Sequence, residues 1–270
     1  MMPVRRVLAG LVARLDGLAM VGLAGFMGWL VLRGDYWLFL NPKFKPVTLT
    51  AAGLLLVLGG YAAWRPVSRP NLGRLLCYVV LGAMVGLTEG GTQAFSQAAG
   101  SGDPFMVCPA PLPAPPRPAV PDHLTAGGQD FIPINTGELY DIAAKGHGKA
   151  WDTAYAMRGF VYRAPDLDAK GEFVLYRLAI WCCFADSTAV GFRVRPPEGT
   201  PLPKKGQWLV VLGRLADAPT DERREYALPG IPFSSISPVA VFAAVRLNTA
   251  TPAPEEVNMF EWRQAPPYAY

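Results

Sequence analysis

Cys182 and Cys183 are adjacent, and Asp186 follows them after Phe184 and Ala185. Two thiols and a carboxylate within five residues suit three kinds of chemistry: a soft-metal site, a redox pair, or no chemistry at all, with the sulfurs packed as small hydrophobes. The doublet closes a strongly apolar run, Leu178 to Trp181, that reads as strand. Neighbouring strand side chains point to opposite faces, so the two sulfurs share a ligand only where a bulge or turn redirects one of them. Zinc normally takes about four protein ligands. The rest of the inventory is Cys77 in a hydrophobic run, Cys108 in a proline-rich stretch, His123 and His147, with no CxxC or HExxH spacing. Copper(I), or a transient hand-off of a soft metal ion, needs fewer ligands.

A bond between consecutive cysteines strains the peptide between them, which leaves a Cys183 to Cys108 bridge as the freer disulfide. Asp186 also suits an Asx-type cap for the turn into a strand at Ala189. A dyad of Cys183 with His147 is conceivable, but no G-x-S-x-G or Walker glycine loop is present. Arg223 and Arg224, flanked by Asp221, Glu222 and Glu225, read as a solvated strand edge.

The elements that must hold the doublet are strands. Alternating or β-rich runs occupy Ala154 to Tyr162, Phe173 to Cys183, Ala189 to Val194, Trp208 to Leu215, Tyr226 to Ala227 and Val239 to Leu247. Ahead of them Thr136 to Lys145 reads as a helix, capped by Thr136 and ended by Gly146. Five or six short strands and one peripheral helix predict a C-terminal all-β, OB-like small barrel over residues 131–250, followed by a tail over 251–270. Residues 96–130 read as a linker. Eight of the eighteen residues from Pro104 to Pro121 are proline, a stiff, extended spacer that forms neither helix nor central strand.

The front of the chain is different. Gly17 to Leu32 and Val47 to Trp64 are uncharged apolar runs, flanked by Tyr36, Trp37, Tyr61 and Trp64, and Leu75 to Thr88 is a shorter third. A bilayer core asks for roughly 17 to 25 such residues, and aromatic side chains favour its interfaces. The reading is an α-helical membrane region, residues 1–95, of about three transmembrane helices (about 15–36, 46–64 and 72–90). Ala24 with Gly28, and Gly82 with Gly86, lie four apart and offer close helix packing, including to a partner's helix.

Charge follows the same division. Residues 1–88 carry nine Lys/Arg and two Asp/Glu, whereas the rest is faintly acidic; over the whole chain 51% of residues are apolar and 17% charged. That excludes a disordered chain and gives no footing for nucleic-acid binding. Basic residues gather before the first run and in the second loop, and none lies between Glu89 and Pro116. By the positive-inside rule the N-terminus is cytoplasmic and the C-terminal domain extracytoplasmic, in a multi-pass protein of the bacterial inner membrane.

Met157-Arg-Gly-Phe-Val-Tyr162, Leu178-Ala-Ile-Trp-Cys-Cys-Phe-Ala-Asp186, Val190-Gly191 and Gly206-Gln-Trp-Leu-Val-Val-Leu-Gly213 resemble the YcgQ-like family of bacterial membrane proteins. The close resemblance spans about residues 150–215, and the family's Cys-Cys-x-Ala-Asp-Ala element ends here in Ser187. It implies an accessory, non-enzymatic subunit that works with a separate multi-span permease subunit in the lipid bilayer. Cys182, Cys183 and Asp186 match the family's signature, and Gly159, Gly191, Trp208 and Gly213 its barrel framework. The expected function is therefore that of a permease subunit whose outward β domain binds a solute or a soft metal ion. An envelope thiol-redox protein and a structural envelope binding module are the alternatives.

Overall fold

The computed structural model describes residues 14–32, 36, 40–65, 80, 123–183, 186–220, 226–228, 233–252 and 256–270. The third apolar run apart from Val80, the proline spacer, Cys77, Cys108, Gly82, Gly86 and the Arg223–Arg224 cluster lie outside these residues. The chain divides into two compact units, Met1–Gln97 and Ala98–Tyr270.

In the first unit α1 (Leu15–Leu32) and α2 (Lys45–Trp64) pack on each other. At about 1.5 Å per residue, each approaches the roughly 30 Å thickness of a bilayer core. Both helices are long and apolar enough to cross a membrane, and among the described residues they are the two that are. Leu54, Leu56, Val57 and Leu58 are exposed, so the hairpin does not bury its own apolar surface. The helices touch through small residues, although Gly28 has open space around it. The close approach is at Gly17 and Gly59: a Cβ on Gly17 would lie 2.3 Å from the Ala63 nitrogen, and one on Gly59 2.8 Å from Met20 Cβ. Tyr36 is buried beside the turn, its hydroxyl 2.8 Å from Thr48 Oγ1.

The second unit is a closed five-stranded β-barrel with extra strands. A hairpin comes first, β1 (Leu124–Ala126) and β2 (Gln129–Pro133), turned by Gly127 and Gly128, both at positive φ. The barrel strands are β3 (Tyr155–Tyr162), β4 (Phe173–Ala179), β5 (Thr188–Arg195), β6 (Trp208–Asp217) and β7 (Ser234–Thr249). They run β3-β6-β7-β5-β4 and close by β4 pairing back onto β3. All barrel pairings are antiparallel except β5 with β7. β2 adds to β3 in parallel, and a short β8 (Asn258–Met259) adds in parallel to β4.

Three glycines let the barrel turn. β3 changes partner near Gly159, from β6 to β4, and a Cβ there would sit 2.5 Å from the Tyr176 carbonyl oxygen. A Cβ on Gly191 would sit closer still, 2.1 Å from the Leu175 oxygen, and one on Gly213, which borders a register shift against β7, 2.2 Å from the Ala243 oxygen. Trp208 meets Phe160 edge-on at 4.8 Å. Met157, Leu175, Phe192, Val211 and Phe242 point into a fully buried core.

α3 (Thr136–Ala144) is not peripheral: Leu139 and Ala143, four apart on one face, are buried in that same core. Two further short helices, α4 (Lys149–Asp152) and α5 (Pro165–Asp168), accompany it. The cap of α3 is Asn135 rather than Thr136, because Asn135 Oδ1 accepts from the Glu138 amide while the Glu138 carboxylate accepts from the Asn135 amide. Tyr226 and Ala227, read as strand, are in no strand. β3 and β4 are buried on both faces because residues 256–270 strap across them. Arg158 pairs with Glu256 at 2.8 Å and stacks on Tyr270, and Arg177 donates to the Glu256 and Asn258 carbonyls.

Candidate functional site

β4 ends at Ala179, four residues before the end expected for this strand. Leu178 and Ala179 are its last residues paired with β5, and the chain then bends before re-entering the barrel at Thr188. Cys182 and Cys183 therefore sit in a turn and escape strand alternation. Their sulfurs lie 3.7 Å apart, with Cys182 exposed and Cys183 half-buried, and neither is in a disulfide.

Asp186 organises this turn. Its Oδ1 accepts from the Trp181 amide at 3.1 Å, and its Oδ2 accepts from the amides of Cys182 at 2.8 Å and Cys183 at 3.4 Å. Its own amide returns a bond to the Cys183 carbonyl at 3.1 Å. The aspartate thus caps the amides of Trp181, Cys182 and Cys183, not the strand after it. Burial raises its carboxyl, but the Cys182 thiol and the three amides outweigh that and hold it below the usual carboxylate range. In turn, the carboxylate first and the neighbouring thiol second push Cys182 up to about 11. At neutral pH Cys182 is accordingly a protonated donor to Asp186.

One ligand atom from each of Cys182, Cys183 and Asp186 lies within 4.8 Å of the others. Two sulfurs and one oxygen at this separation can converge on one soft or borderline cation once the thiols lose their protons, since metal binding and deprotonation are coupled. Among the described residues no histidine joins the cluster. His147 instead lies 3.0 Å from Asp217 and packs at a tilt against the Trp151 ring. Gly159, Gly191, Trp208 and Gly213 do not belong to the cluster; they shape the barrel, as described above.

Sequence reasoning missed the neighbours of the site. The exposed Trp181 ring stacks on Trp262, with centroids 5.7 Å apart and planes 22° from parallel. The Ile180 amide donates to the Met259 carbonyl. The signal for this contact was a lone tryptophan in the stretch read as a tail. Glu138 was missed as well: buried in α3, it accepts from the amides of Arg263 at 2.7 Å and Ala269 at 3.0 Å, pinning the strap.

Residues 138–241 match the DUF1980 C-terminal domain, which YcgQ-like proteins carry. The match runs from α3 into β7 and includes the cysteine turn. No curated protein matches the chain.

Proposed function

We propose that this protein is a non-enzymatic, membrane-anchored accessory subunit of a two-component permease complex, whose barrel domain offers Cys182, Cys183 and Asp186 to a transported soft metal ion. The observation that carries the reading is the convergence of two sulfurs and a carboxylate within 4.8 Å on an accessible turn. The strand order β3-β6-β7-β5-β4, with β5 and β7 as the one parallel pair of the barrel, supports an OB-like reading, and the loops of that fold commonly hold ligands. The exposed apolar faces of α1 and α2 suit lipid or the helices of a multi-span partner. In this scheme Leu75 to Thr88 forms a third span, the N-terminus stays in the cytoplasm and the barrel lies outside the bacterial inner membrane.

The raised Cys182 thiol counts against Cys182 as the attacking group of the envelope thiol-redox reading, because such a group works through a lowered pKa. A purely structural envelope module is separated by metal analysis. The tagged full chain is expressed with its neighbouring gene, extracted in detergent and assayed for a retained multi-span protein and for bound metal. Co-purification, together with metal that disappears in the Cys182→Ser/Cys183→Ser double variant, is expected. No multi-span protein retained, or a double variant that keeps its metal content and loses only thermal stability, refutes the proposal.

A further inference from the structure

Trp262 is held on several sides. Its indole nitrogen donates to Asp141 Oδ2 at 2.7 Å. Its six-membered ring lies against Gly137, where a Cβ would come within 2.4 Å of the ring carbons, so α3 leaves room for this side chain by having no Cβ there. The ring also packs with Ala179, Val190 and Met259, at the end of β4 and the start of β5. Trp262 is thus tied to α3, to the barrel and to its own strap.

Trp181 differs, with 57% of its surface exposed. It faces two ways: its ring lies on Trp262, and its amide donates to Asp186 Oδ1. The backbone just before it is tied to the strap as well, through the Ile180 amide and the Met259 carbonyl. Where Trp262 sits therefore sets where the Trp181 amide points. That amide holds one oxygen of Asp186, which leaves the other for the amides of Cys182 and Cys183.

From this chain of contacts we infer that Trp262 is a positioning residue for the Cys182–Cys183–Asp186 site, acting through the Trp181 stack from about eighty residues further along the sequence. Groups that orient ligands without touching the metal typically change affinity by about 10- to 100-fold. An exposed ring stack with one amide bond behind it belongs at the lower end. The inference rests on the metal reading only for its affinity arm.

The test uses the full chain in detergent, with cadmium alone as the probe and, separately, the rate at which Cys182 is alkylated at fixed pH. Trp262→Ala is expected to weaken cadmium binding roughly tenfold and to change the alkylation rate. Trp262→Phe, which keeps a ring to stack but loses the bond to Asp141, restores most of both. Should Trp262→Ala fail to fold, Trp181→Ala decides, since it removes the stack from the exposed side and leaves the strap in place; it is expected to reproduce both losses. Folded variants with wild-type cadmium affinity and wild-type alkylation rate overturn the inference. A wild-type chain that binds no cadmium defeats the metal reading instead, and the alkylation arm still decides on Trp262.

Discussion

Replacing Asp186 by asparagine makes Cys182 more reactive, the reverse of what removing a general base would do. The carboxylate is the largest influence lifting this thiol from its ordinary value of 9.0 to about 11. At pH 8 that range spans roughly a hundredfold in thiolate content, from about one part in ten to about one in a thousand. Intrinsic nucleophilicity falls along with pKa, with a Brønsted coefficient of about 0.4 to 0.5, which cancels nearly half of that gain on a logarithmic scale. A rate increase of up to about tenfold remains. The assay is exchange with an aromatic disulfide reagent at pH 8, in a full-length background where Cys77, Cys108 and Cys183 are serine. Asparagine also meets three amides with one fewer acceptor oxygen, so a thermal melt must show that the barrel is intact. An unchanged or slower rate in a folded Asp186→Asn variant refutes the account of the site as a carboxylate clamp on a protonated thiol.

Three other predictions test the frame around the site. Gly191→Ala places a Cβ 2.1 Å from the Leu175 oxygen and 2.8 Å from Tyr176 Cα, so the barrel loses about 2 to 3 kcal/mol in a denaturant titration. Gly59→Leu destabilises the detergent-solubilised chain by about 2 kcal/mol as read by resistance to unfolding, while Gly60→Leu, with open space at that position, does not. Burial raises Glu138 above its ordinary value of 4.5 despite the lowering effect of the Ala269, Arg263 and Asn135 amides. The folded state therefore holds that proton to higher pH than the unfolded state does. The contribution is fully present below pH 4.5 and is lost as pH rises through the folded value. Stability measured across this window falls with rising pH in the wild type, and Glu138→Gln removes that component of the slope.

The parts of the fold legible in the sequence were those whose signal is local. β3, β5 and β6 alternate or run apolar between glycine and proline clusters, and their ends fall within about two residues of those expected. β4 was read too long because the run from Leu178 to Trp181 stays apolar past the last pairing with β5; Trp181 owes this to the stack on Trp262, not to a ladder. Only the structure identifies the turn that brings the two sulfurs together, although the sequence reading named it as the condition for a shared ligand. Asp186 was recognised as a capping residue but assigned the wrong direction, because an aspartate between two strands can satisfy amides on either side. The bonds from Glu138 to the strap had no local signature, since those partners lie 125 and 131 residues further along, whereas its capping-box partner Asn135 is three residues away.

The place of β7 in the barrel has a consequence for biogenesis. β5 and β6 each leave an edge that only β7 fills, by pairing with both, and β7 ends at Thr249. During synthesis, two apolar strands therefore wait with unsatisfied backbone groups until β7, whose last residue is Thr249, has been made. Such edges recruit foreign strands, and long-range closure of this kind is slow. The domain is consequently most exposed to misassembly before it has finished emerging, and a truncation anywhere within β7 will aggregate instead of giving a smaller stable barrel.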